Sequence, residues 1–90
     1  MAVEVRIPTI LRQYTGGEKA VDASGVTLAA LIDDLESNHP GIRDRLLDGP
    51  ELRRFVNVYV NDEDVRFTGG LETALSDGDQ VVVLPAVAGG

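Results

Sequence analysis

The sequence predicts an α+β domain: a mixed sheet of four to five strands with one main helix across one face. Three observations carry that expectation. An apolar stripe at helical spacing, Leu28, Leu31, Ile32 and Leu35, runs through "VTLAALIDDLESNHPG". Period-two alternation stands before it in "VEVRI" and after it in "RFVNVYV". The run "QVVVLP" then supplies a nearly continuous apolar strand, the pattern expected in the middle of a sheet.

In chain order, Val3, Val5 and Ile7 alternate with Glu4 and Arg6, so the first strand has one buried face. Pro8 ends it or sits at its edge, because proline has no amide hydrogen to give to a ladder. "TGG" at Thr15 to Gly17 is a turn, and a weaker alternation in "EKAVDA" completes a hairpin. Thr27 precedes the helical stripe as an N-cap, and Asp33, Asp34 and Glu36 lie off the stripe. Asn38, His39, Pro40 and Gly41 stop the helix. "IRDRLL" gives one further helical turn, which "DGP" breaks.

Val56, Val58 and Val60 share one face of the next strand, with Phe55, Asn57 and Tyr59 on the other. "NDED" turns the chain and "VRF" is expected to return as a short strand. "GGLETALSDGD" holds a brief helical or irregular turn and then a tight Asp-Gly turn. In the last strand, Val81 and Val83 should face the core, and Val82 and Leu84 should face outward. The order strand, strand, helix, strand, short strand, strand is that of the β-grasp, or ubiquitin-like, fold. A fold alone does not fix a function.

Composition narrows the function. The 90 residues make one domain with 43% hydrophobic content, no cysteine and one histidine. A chain this size buries about 60–65% of its unfolded surface, so its core is modest. A net charge of −7 disfavours nucleic acid, which rewards basic stripes. "MAVEVRIPTI" carries charge early and has no long apolar run, so neither a signal peptide nor a membrane span is expected. A cytoplasmic protein, monomeric when free and without nucleic-acid or membrane partners, is the expectation.

Catalytic constellations are scarce. His39 falls in a helix-stop signal, where a solvated residue is far more common than a general base, and no second histidine or cysteine completes a metal site. "NDED" at Asn61 to Asp64 lacks the glycine and distant glutamate of a calcium loop, and reads as a charged hairpin turn. Arg53 and Arg54 are paired cations before a strand, more often a solvated face than a phosphate site. "TGGEK" and "TGGL" lack phosphate-loop spacing and read as turns.

Chemistry is therefore expected at the end of the sequence, "PAVAGG". The domain is placed at residues 1–84 and a flexible arm at residues 85–90. Pro85 removes a ladder donor. Ala86, Val87, Ala88, Gly89 and Gly90 then form a slim segment that reaches about 17 Å when extended. Glycines at the tip remove every Cβ, so the arm can thread a narrow channel and present an unhindered carboxylate on Gly90. Small residues at a terminus are common by themselves. A β-grasp order followed by proline and a small-residue arm ending in Gly-Gly is a more specific pattern.

Across essentially its whole length the chain resembles the MoaD/ThiS family of ubiquitin-like sulfur carriers. Its most specific segment is "LSDGDQVVVLPAVAGG", Leu75 to Gly90. "RFVNVYVNDEDVRF", Arg54 to Phe67, looks closest to the CysO branch, which serves a cysteine synthase that uses O-phosphoserine. The resemblance implies a carrier rather than an enzyme, with no bound cofactor and no metal. An E1-like adenylating and sulfurating enzyme would use ATP to place AMP on the Gly90 carboxylate, and a sulfur donor would displace AMP to leave a thiocarboxylate. The sulfur would go to an acceptor synthase, either the O-phosphoserine-dependent cysteine synthase or a thiazole-synthase-like enzyme. The resemblance also implies a hydrophobic docking contact at Leu84, with Val82 beside it on the same face. Two alternatives stay open: the small subunit of molybdopterin synthase, and a ubiquitin-like protein modifier.

Overall fold

The computed structural model describes residues 2–54 and 56–85. Two expectations fall outside them: the outward placement of Phe55, and the extended arm at residues 86–90.

The first strand, β1, is Val3–Arg6, with Val3 and Val5 buried. Pro8 leads into a 3-10 helix, Thr9–Tyr14, that the sequence reading did not anticipate. Only Leu11 of its six residues is buried, so it has no apolar periodicity to betray it. Gly16 and Gly17 take positive φ in the turn that follows, and β2, Ala20–Ala23, pairs antiparallel with β1 from Val3↔Ala23 to Arg6↔Ala20.

Helix α1, Leu28–Asn38, is capped as expected: the Thr27 hydroxyl accepts from the Ala30 amide at 3.2 Å. Its four stripe residues are buried, and they face the sheet. The loop after α1 is pinned by Glu36, whose carboxylate accepts from the Gly41 amide at 3.0 Å and the Arg43 amide at 2.9 Å. Those two bonds hold its carboxyl below the ordinary glutamate range. Helix α2, Arg43–Leu46, is the further turn read from "IRDRLL". It runs into a two-residue hairpin, β3 Leu47–Asp48 and β4 Glu51–Leu52, where the sequence promised only a break.

Strand β5, Val56–Val60, buries its three valines. Asn61 and Asp62 then take φ of 49° and 72°, the left-handed pair of a tight hairpin turn that asparagine and aspartate tolerate. The return strand differs from expectation. It is β6, Glu63–Asp64, and Val65–Phe67 is a 3-10 helix rather than a strand. The Asp64 side chain accepts from the Arg66 amide at 2.9 Å and starts that helix. Val65 turns into the core, and Phe67 is left 87% exposed.

Strand β7, Gln80–Pro85, runs one residue past the domain boundary placed at residue 84. It lies at the centre of a five-stranded sheet ordered β2-β1-β7-β5-β6. Its pairing with β1 is parallel and its pairing with β5 antiparallel. The sheet is therefore mixed, with α1 on one face, and the fold is a β-grasp. Among Leu28, Leu31, Ile32, Val58 and Val81 the packing leaves a void of about 10 Å³, at the lower limit of the room one water needs.

Candidate functional site

The central strand positions the site. Parallel pairing of β1 with β7 runs from Glu4↔Gln80 to Arg6↔Val82, so β7 outruns β1 by Val83, Leu84 and Pro85. On its other side β7 stays paired through Asn57↔Leu84 and Val56↔Pro85. Pro85 therefore leaves the sheet from its middle, held from one side only.

Side chains alternate along this strand as expected. Val81 and Val83, 1% and 4% exposed, point into the core. Val82 is half-buried on the outer face, flanked in register by Arg6 and Tyr59. Leu84 is 45% exposed on that face and Pro85 is exposed beyond it. The structure thus brings Val82, Leu84 and Pro85 together at one end of the sheet. Ala86, Val87, Ala88, Gly89 and Gly90 lie outside the described residues.

The outer face is held by polar contacts. The Gln80 amide group donates to Glu4 at 2.7 Å and, with the Arg6 cation 3.3 Å from that carboxylate, holds the Glu4 carboxyl below the ordinary range. Arg66 donates to the Asn57 side chain and, at 2.8 Å, to the Val56 carbonyl, so the β5 residues opposite Leu84 and Pro85 are fixed. Beside Leu84 lies a shallow groove lined by Arg6, Pro8, Arg12 and Lys19. The 3-10 helix separates it from a second groove lined by Ile10, Arg45, Arg53 and Arg54, which reaches Val56. The sequence reading took Arg53 and Arg54 as a solvated pair, and both are exposed. It did not single out Arg6, Ile10, Arg12, Lys19 or Arg45, which are scattered along the chain and meet only through the topology.

His39 is the C-cap of α1 and its amide donates to the Leu35 carbonyl at 2.7 Å. Among the described residues no three His, Asp or Glu side chains gather as a metal site requires. No helix among them is long and apolar enough to cross a membrane.

The architecture defines a ubiquitin-like β-grasp domain whose central strand ends at Pro85. Residues 5–90 match the model of the ThiS family, and the chain belongs to that family. It is 64% identical to the sulfur carrier protein CysO of Mycobacterium tuberculosis, with both chains fully covered. The molybdopterin synthase sulfur carrier subunit of the same organism is 33% identical, over 84% of this chain and 78% of that protein. Among solved structures, the Amycolatopsis orientalis BexX/CysO complex contains a chain 63% identical to this one. It superposes with a TM-score of 0.94 and covers 99% of this chain and 100% of that chain.

Proposed function

We propose that this chain is a sulfur carrier whose working group is the Gly90 carboxylate. A carboxylate is a poor electrophile because it has no good leaving group. In the proposed sequence one of its oxygens attacks the α-phosphorus of ATP on an E1-like enzyme, and pyrophosphate leaves. A sulfur nucleophile then adds to the acyl carbon, AMP departs with the bonding pair, and a thiocarboxylate remains. Its sulfur is nucleophilic and travels with the carrier to the acceptor. The carrier supplies no acid, base or metal to these steps; it supplies a narrow arm, Ala86 to Gly89, rooted at Pro85. In this reading it is a cytoplasmic monomer and a protein co-substrate rather than an enzyme.

The acceptor in this reading is an O-phosphoserine-dependent cysteine synthase. The observation that carries it is the contrast between two proteins of one organism: 64% identity to CysO against 33% to the molybdopterin synthase subunit. The test supplies the thiocarboxylate form to each acceptor. With the cysteine synthase and O-phosphoserine, phosphate should be released and cysteine should remain attached at Gly90. Turnover only with a molybdopterin synthase large subunit, with the carboxylate returned, would reassign the chain to that pathway. Isopeptide-linked lysines without any sulfur product would make it a protein modifier.

A further inference from the structure

The chain carries a net charge of −7, yet its cations are not spread evenly over it. Arg6, Arg12 and Lys19 line the groove on one side of the 3-10 helix Thr9–Tyr14. Arg45, Arg53 and Arg54 line the groove on the other, together with Asp48. Six of the eight basic residues therefore line two grooves that border the Pro85 end of β7, one at Leu84 and the other at Val56, the partner of Pro85. The opposite end of the sheet carries Asp62 in the β5–β6 turn, Glu63 at the start of β6, and Asp77 and Asp79 in the turn before β7.

Several of the cations are aimed rather than loose. Arg12 donates from Nε to the Ile7 carbonyl at 3.1 Å. Arg53 donates from Nε to the Asp44 carbonyl at 2.7 Å. Arg45 donates from Nε to the Tyr14 hydroxyl at 2.7 Å, and its guanidinium lies 5.8 Å from the centre of that ring. Each of these contacts is made to a neutral oxygen, a carbonyl or a hydroxyl. Among the described residues the ion pairs are Arg6–Glu4, Arg43–Asp33 and Arg66–Asp64. Arg12, Lys19, Arg45, Arg53 and Arg54 take part in none of them. Two exposed apolar side chains sit among these cations: Leu84 at 45% and Ile10 at 63%. Apolar anchors bordered by arginines are the composition of a protein-binding surface rather than of a merely solvated one.

We propose that this basic collar docks against an acidic rim on the adenylating enzyme, around the opening that admits residues 86–90. The inference rests on the carrier reading and names the surface that the reading requires. An arm five residues long buries too little area for a specific complex, which needs on the order of 1,000 Å². The surface at its root must add the rest. An acidic rim satisfies the unpaired cations, and Leu84 and Ile10 fill apolar sites inside it. The collar's charge also attracts such a rim before contact, which speeds the encounter at low salt.

The test is ATP–pyrophosphate exchange by the purified adenylating enzyme, with carrier concentration and sodium chloride varied. The informative variant is Lys19→Glu with Arg54→Glu. Both side chains are exposed, one in each groove, and neither makes a side-chain hydrogen bond among the described residues, so the thermal melt should not move. The KM for the carrier should rise about tenfold at low salt, with kcat nearly unchanged, and the difference should shrink above roughly 0.5 M salt as exposed charges are screened. Asp62→Asn with Glu63→Lys, at the far end, should leave KM within about twofold, which separates the collar from net charge. Exchange with the unaltered chain, but equal KM for the collar variant, would overturn the collar and leave the carrier reading standing. A fall in KM with the far-end variant that mirrors the rise would reduce the collar to net charge and overturn it as well. No exchange with the unaltered chain would overturn the carrier reading, and the collar with it.

Discussion

The two ends of β7 are built differently. At Gln80 the strand and the turn before it are fastened on both sides, to β1 and to the β5–β6 turn. The Asn61 amide donates to the Gln80 carbonyl at 2.9 Å, and the Gln80 amide donates to the Asn61 side chain at 3.0 Å. The Glu4 amide reaches the Asp79 carbonyl, and the Gly78 amide reaches Ala2. Asp79 accepts from the Asn61 side chain and the Ser76 amide. At Pro85 the strand has β5 on one side and a groove on the other, with Leu84 exposed. Backbone satisfaction is concentrated at one end, and exposed apolar and cationic groups at the other. The difference teaches that stability and recognition are separated along a single strand, so a change at either end should move one property and spare the other.

The sharpest way to break that comparison uses neighbours. Val83→Asp places a carboxylate in the core, where nothing pairs it, and should cost about 4 kcal/mol or more. That is much of the 5–15 kcal/mol available to a typical domain, so the melt should collapse. Leu84→Asp, one residue on, should leave the melt nearly unchanged. It should weaken binding to the adenylating or acceptor enzyme by about 2 kcal/mol, read by calorimetry. If the two variants behaved alike in the melt, the strand's faces would be misassigned. If Leu84→Asp bound normally, Leu84 would not be an anchor.

A smaller effect is expected at the fastened end. The Asn61 side chain, and then the Ser76 amide, hold the Asp79 carboxyl below the ordinary aspartate range. A group whose pKa is lower folded than unfolded stabilises the fold above its unfolded pKa, and that contribution is lost as pH falls through the folded value. Asp79→Asn should therefore melt lower than the parent at neutral pH. The gap should close in acid, below the ordinary aspartate range, while partner affinity at neutral pH stays the same. A gap that persisted unchanged into acid would show that the carboxylate charge is not what fastens this end.

Much of the fold was legible because its main elements bury whole faces. The α1 stripe, the Thr27 cap, the three valines of β5 and the central position of β7 all follow from periodicity and capping chemistry. Illegible elements lack such periods. The helix Thr9–Tyr14 buries one residue, β3 and β4 are two residues each, and "VRF" looks like a strand until Asp64 caps it into a turn. The site divides in the same way. Alternation in "QVVVLP" assigns Val82 and Leu84 to the outer face, and the structure puts them there. The cations beside Leu84 come from residues 6 to 54, and no local pattern links them. The candidate working group, Gly90, is an expectation from sequence alone, and it lies outside the described residues.

The central claim is that sulfur is carried on the Gly90 carboxylate. Its most direct measurement is the intact mass of the chain after incubation with the adenylating enzyme, ATP and a sulfide source, beside a variant lacking Gly90. The full chain should gain the mass difference between one sulfur and one oxygen, and the shortened chain, its carboxylate one residue back, should gain nothing. Equal gain by the shortened chain, or gain by neither, would contradict the account.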